Sequence, residues 1–135
     1  MNFNTEKFDK SERLCSVKVI SGLFESGNIF YTSLFKVVWA ENPSPHPNPA
    51  QVTFSVSKRG FKLAVTRNLI KRRMREAYRK NKQKLYKHLE SENIQIAFVI
   101  ILRGNSIPEF LKIEKSINEI IDKLIVLNKN MLKLI

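Results

Sequence analysis

Arg67, Lys71, Arg75 and Arg79 stand four residues apart near the middle of the chain, with Asn68, Arg72 and Tyr78 beside them. On a helix over 63–80 that spacing stacks the four cations into one ridge. Like charges so arranged repel by a few tenths of a kcal/mol per pair, about 0.2–0.5 on a surface helix, so the ridge does not serve the stability of the chain. It becomes favourable when phosphates face it, because each neutralised phosphate releases a condensed counterion. Arginine predominates on the ridge, and a planar guanidinium takes a phosphate bidentately where an ammonium offers a point charge. The implied chemistry is the binding of a polyanion. For bond-breaking the chain offers no pair of carboxylates in a plausible site, no nucleophile–base set and no metal-ligand spacing, so no catalytic and no metal-ligating residue is expected. His46 and His88 read as surface residues, and Cys15, the only cysteine, as a small buried one. A lone cysteine allows neither an internal disulfide nor a thiolate zinc site.

The charge is concentrated as the ridge requires. Between Lys58 and Lys87 there are thirteen Lys or Arg and a single acid, Glu76, while the rest of the chain holds eleven bases and eleven acids. The whole formal excess of +12 therefore lies in one stretch, the footprint of a polyanion-binding surface. The first ten residues carry acids and no apolar run, unlike a secretory signal. The longest apolar run, 96–102, is far short of a membrane span. A cytoplasmic protein with no membrane partner is expected.

The elements that must position the ridge follow from periodicity. Residues 13–25 read as a short helix, with Ser11 as its cap and Gly27 just past its end. A strand is expected at 34–40, then a loop over 42–50 containing four of the five prolines. In 51–57 the apolar Val52, Phe54 and Val56 alternate with Thr53, Ser55 and Ser57, which predicts a strand with one core face and one hydroxyl face. The basic helix follows, with Leu63, Ile70, Met74 and Ala77 as its core stripe, and a further turn or helix runs on to Leu89. Residues 94–102 read as a buried strand. Pro108 opens a last helix whose apolar positions are Phe110, Ile113, Ile117, Ile120, Ile121, Leu124 and Leu127. The order is αββαβα, an α/β (α+β) arrangement around one small mixed sheet, in a single domain over 1–135.

The segment 58–79, KRGFKLAVTRNLIKRRMREAYR, resembles the hallmark of the bacterial ribonuclease P protein component. That family has a Ser-Lys-(Lys/Arg) strand end followed by Ala-Val-x-Arg-Asn and a run of basic residues, and the likeness extends to the flanking helices and strands. The second arginine of the motif, directly after the asparagine, is Leu69 here, and the turn from Ser57 to Ala64 is about one residue longer than is common. The resemblance implies a two-layer sandwich like domain 2 of ribosomal protein S5, with a left-handed β-α-β crossover. It implies an RNA-binding subunit that assists a catalytic RNA in removing the 5′ leader of precursor tRNA, with Mg²⁺ bound mainly by that RNA and its requirement lowered by the protein. Carried over by position, Lys58, Arg59, Arg67, Asn68, Lys71, Arg72, Arg75 and Arg79 would contact RNA. Ile20, Phe24, Ser55, Ser57 and Arg103 would line a leader-binding cleft between the first helix and one sheet face. Phe24 has two readings, a stacking platform or a core residue. No obligate protein partner is implied. A ribosomal or general RNA-binding protein is the alternative from the binding class; a helix-turn-helix DNA-binding protein and a protein-only nuclease fit less well, the former because the basic helix sits between strands.

Overall fold

In a computed structural model, which describes residues 7–42 and 46–129, the alternating apolar segments assemble into one four-stranded sheet. After a 3-10 turn at Lys10–Glu12 come α1 (Val17–Ser26), β1 (Asn28–Tyr31), β2 (Phe35–Glu41), β3 (Ala50–Ser55), α2 (Ala64–Asn81), α3 (Gln83–Glu92), β4 (Ile96–Leu102) and α4 (Phe110–Leu127). The strand order is β1-β2-β4-β3. β2 is antiparallel to both β1 and β4, and β3 runs parallel to β4, joined to it through α2 and α3. The expected mixed sheet is present, with one addition, the four-residue β1; the further turn or helix expected up to Leu89 is the helix α3. Part of the proline-rich loop, 43–45, lies outside the described residues.

The two sheet faces are unequal. Phe35, Val37, Val52, Ile96, Phe98 and Ile100 face the main core, which α2, α3 and α4 close with Ile70, Met74, Leu85, Leu89, Ile113, Ile117, Ile120, Ile121 and Leu124. Val38, Ala97 and Val99 face the other way and are covered by Leu14 and by Leu23 of α1. β4 is apolar throughout because both of its faces are packed.

Several boundaries differ from the sequence reading, each for a local reason. The first helix begins at Val17, not at residue 13, and its cap is Ser16, whose Oγ accepts from the Val19 amide at 3.2 Å. Residues 13 and 14 are engaged elsewhere: Arg13 bridges to Val52, and the Leu14 amide donates to the Val52 carbonyl at 2.9 Å. They form a strap along the outer edge of β3. Gly27 does end α1, because a Cβ there would fall 2.5 Å from the Leu23 oxygen and 2.8 Å from Cγ1 of Val38. Leu63 is 66% exposed, not core. It is the extended N-cap of α2, so the helical phase that buries Ile70, Met74 and Ala77 does not reach it. Tyr78, read as a flank of the ridge, is fully buried, since Phe8 of the strap and Phe54 of β3 pack edge-on against its ring at 5.8 and 5.9 Å. Glu109 caps α4, with Pro108 buried in the turn before it.

Candidate nucleic-acid interface

A four-residue step along a helix advances the side chain by about 40° around the axis, so a ridge of such steps drifts from one flank to another. The cations on α2 therefore meet different surroundings. Arg67, in the first turn of α2, is half-buried, and its Nη1 donates to the Phe61 and Lys62 carbonyls at 2.8 and 2.9 Å. It fastens the turn between β3 and α2 to the helix. Lys71 and Arg75 are half-buried, while Asn68 and Arg72 are exposed. The Arg75 guanidinium has its pKa lowered, first by burial and then by the charges of Arg13 and Arg72. Arg79, at the far end, is held by Glu76 through contacts of 2.6 and 3.1 Å. The Arg79 bond, more than any other cause, lowers the Glu76 pKa. Leu69 is half-buried, and Lys58 and Arg59 are exposed in the turn after β3, where the Arg59 amide donates to Ser57 Oγ at 3.0 Å.

Other cations of the basic segment have partners elsewhere in the fold, although Lys80 and Lys84 stay exposed. Arg73 donates to the Pro108 carbonyl at 3.0 Å, Lys80 lies over the Phe110 ring, and Lys84 pairs with Asp122 at 2.7 Å. Lys82 is buried in an ion pair with Glu12 and also donates to the Lys7 carbonyl. Tyr86 donates to the same Glu12 oxygen at 2.5 Å. Apart from these and Arg67, the cations Lys58, Arg59, Lys62, Lys71, Arg72, Arg75 and Lys87 make no ion pair among the described residues, and uncharged Asn68 lies exposed beside Arg72.

The sheet face on the α1 side carries the other predicted residues. Register places Tyr31, Lys36, Ile101 and Ser55 in one row across the four strands, with Ile29, Val38, Val99 and Thr53 in the next. Val38 and Val99 are buried beneath α1, whereas Lys36, Ile101 and Ser55 are only half-covered and Tyr31 is 54% exposed. Ile20 packs against the buried pair, and Phe24, one turn on, is 55% exposed, which removes its reading as a core residue. Arg103 donates to the Thr32 carbonyl at 3.1 Å and holds its guanidinium 5.0 Å from the Tyr31 ring centre. The structure thus brings Ile20, Phe24, Ser55 and Arg103 to one sheet face, and leaves Ser57 in the turn toward α2. None of these five lines the groove of about 410 Å³ between α1 and β2, which lies on the other flank of the helix beside Val19, Leu23, Ala40 and Ala97. Tyr31 and Lys36 were not foreseen. Tyr31 stands in a four-residue run, Asn-Ile-Phe-Tyr, with no alternation to mark it, and Lys36 lies inside the strand expected at 34–40 without a signal of its own.

The remaining candidates fall outside both surfaces or at their margin. Cys15 is exposed, ahead of α1, and not the buried helical residue expected. Both histidines are half-buried and tied down: His46 Nδ1 accepts from the Asn48 amide at 3.1 Å, and His88 Nε2 meets the Asn128 carbonyl at 3.1 Å. Among the described residues no group of three or more His, Cys, Asp or Glu could hold a metal ion, and no helix is long and apolar enough to cross a membrane.

Comparison with known proteins gives matches over most of the chain. The Ribonuclease P family model matches residues 8–125. The ribonuclease P protein component of Porphyromonas gingivalis is 31% identical over 110 residues, covering 82% of this chain and 80% of its own length. That of Chlorobium phaeobacteroides is 32% identical over 126 residues, covering 82% and 83%. In fold the chain is similar to the RNase P protein of Staphylococcus aureus, with a TM-score of 0.63 at 23% identity over 84% of this chain and 95% of the other. The Thermotoga maritima protein gives 0.64 at 20% identity over 83% and 96%.

Proposed function

The chain belongs to the ribonuclease P protein family, the RNA-binding subunit of the enzyme that processes the 5′ end of tRNA, and from that premise we propose how its two surfaces divide the work. The outward face of α2 with the preceding turn, through Lys58, Arg59, Arg67, Asn68, Lys71, Arg72 and Arg75, binds the phosphate backbone of the catalytic RNA. Arg79 contributes less, because Glu76 already holds it. The open strip of sheet beside α1, through Ile20, Phe24, Ser55, Ser57 and Arg103, takes the single-stranded 5′ leader of precursor tRNA.

One observation carries this division. Lys82 and Lys84 are paired with the carboxylates of Glu12 and Asp122 and Arg73 is bonded to a carbonyl, while Lys71, Arg72 and Arg75 on the outer face of α2 make no ion pair among the described residues. A face kept charged at its own electrostatic cost is made for an anion. The leader surface has a different character: an exposed aromatic, hydroxyls and one guanidinium, suited to bases that vary in sequence. Hydrolysis belongs to the catalytic RNA and its Mg²⁺. By neutralising phosphates and holding the leader, the protein reduces the counterion charge that the divalent ion must otherwise supply. No further protein is needed in this scheme, and its setting is the cytoplasm.

The test is reconstitution. With a bacterial ribonuclease P RNA, the purified chain is expected to restore cleavage of precursor tRNA at an Mg²⁺ concentration where the RNA alone is inactive. The assembled enzyme should also bind leader-bearing precursor more tightly than mature tRNA. Absence of stimulation, or equal affinity for the two tRNAs, would overturn the corresponding half of the proposal.

A further inference from the structure

Between the strap, β3 and α2 lies a pocket of about 220 Å³. Arg13, Lys71 and Arg75 line it together with Thr53, over an apolar base that includes Leu14 and Val52, and no carboxylate is among its walls. Two of these cations belong to the basic helix. Arg13 does not: it comes from the near-neutral part of the chain, and its backbone is fixed beside the pocket by its bridge to Val52 and by the Leu14 amide bond to the Val52 carbonyl. Its guanidinium lies 5.9 Å from the Phe8 ring centre, and the next residue back, Glu12, is locked by its buried pair with Lys82. None of the three cations makes an ion pair among the described residues. Their crowding is felt at Arg75, whose pKa is lowered by burial and then by Arg13 and Arg72. Three converging donors, a hydroxyl and no acid form a receptor for an anion with several oxygens.

We propose that this pocket seats a backbone phosphate of the catalytic RNA, with Arg13 as a ligand that joins Lys71 and Arg75 from outside the basic helix. The proposal rests on the assignment of α2 to the catalytic RNA. It commits to that RNA over the leader because Lys71 and Arg75 are ridge residues, so a strand lying along α2 passes the mouth of the pocket. It also gives the strap a role in recognition, since the strap holds Arg13 in place.

The experiment uses the full chain carrying Arg13→Gln or Arg13→Lys, titrated with a bacterial ribonuclease P RNA over a series of KCl concentrations, with thermal unfolding followed alongside. Arg13→Gln is expected to weaken binding about tenfold, as for one lost charge-assisted hydrogen bond. It should also reduce the slope of log affinity against log salt by about 0.7–0.9, one phosphate's worth. Arg13→Lys should keep the wild-type slope with a smaller loss. Arg13→Gln with wild-type affinity and slope overturns the proposal. So does a loss shared by both variants that tracks a lower Tm at unchanged slope, which would make Arg13 a packing residue, or a loss confined to binding of leader-bearing precursor by the holoenzyme. Arg72→Gln, outside the pocket, separates the two levels: if it too leaves RNA binding and slope unchanged, the assignment of α2 fails and the pocket falls with it.

Discussion

Arg67 and Arg72 belong to one motif and one helix, yet their side chains have different tasks. Arg67 closes the turn ahead of α2 through two backbone carbonyls, whereas Arg72 projects into solvent without a partner among the described residues. Arg67→Ala is therefore expected to cost about 1–3 kcal/mol of stability through its lost charge-assisted bonds, in addition to weakening RNA binding. Arg72→Ala should stay within about 0.5 kcal/mol of wild-type stability and show its effect in the salt dependence of RNA binding. Urea unfolding beside salt-titrated binding separates the two. Phe24 offers a matching test on the other surface. Being largely exposed, it can be removed with little effect on stability, while Phe24→Ala should weaken binding of leader-bearing precursor by about 1–3 kcal/mol and leave mature tRNA unaffected. The sequence displayed the type and spacing of the ridge residues, but it could not show which were already occupied. The partners of Arg67 are carbonyls, which every residue has, and the neighbour of Arg75 comes from the distant strap.

At the scale of elements, what could be read was what each segment carries in its own period. α2, α4 and β4 lie within about two residues of their expected bounds because one apolar stripe, or a run packed on both faces, marks each of them. The strap and β1 were illegible because their conformation is set by partners far along the chain: Val52 for Arg13 and Leu14, and β2 for a four-residue run. The ion pair that anchors the strap is equally long-range, joining Glu12 to Lys82 at the junction of α2 and α3, with Tyr86 on the same carboxylate. Removing one partner strands a buried charge, so Lys82→Met should cost about 3–5 kcal/mol. Replacing both, as Glu12→Leu with Lys82→Met, should restore most of that loss, and denaturant midpoints of the single and double variants give the comparison.

For the molecule as a whole, the formal charge of +12 is a poor guide to its field unless the fold is known. The cations of one segment are divided by α2 and α3 between an interior share tied to α4 and the strap and an outward share for which RNA contact is proposed. The interior share brings its own pH dependence. Burial raises the pKa of both Tyr78 and Tyr86 far above the usual tyrosine range. A group whose folded pKa is raised contributes stability that is complete below its unfolded pKa, about 10 for tyrosine, and lost as pH climbs toward the folded value. Above about pH 10 each protected phenol should therefore lower stability by about 1.4 kcal/mol per pH unit. Lysines titrate in the same range, so the informative quantity is a difference: Tyr86→Phe should show the shallower decline in urea unfolding between about pH 9.5 and 11.

The bond between Glu12 and Lys82 also sets an order of events during synthesis. Seventy residues separate the pair, so at roughly 5–20 residues per second Glu12 is polymerised about 4–14 s before its partner Lys82. β3 and α2 are made within that interval but the buried partner of Glu12 is not, so the earliest described part of the chain cannot complete its packing first. The segment that carries Arg13 gains its anchor only after the basic helix has been translated, so the proposed phosphate pocket is complete no earlier than that helix.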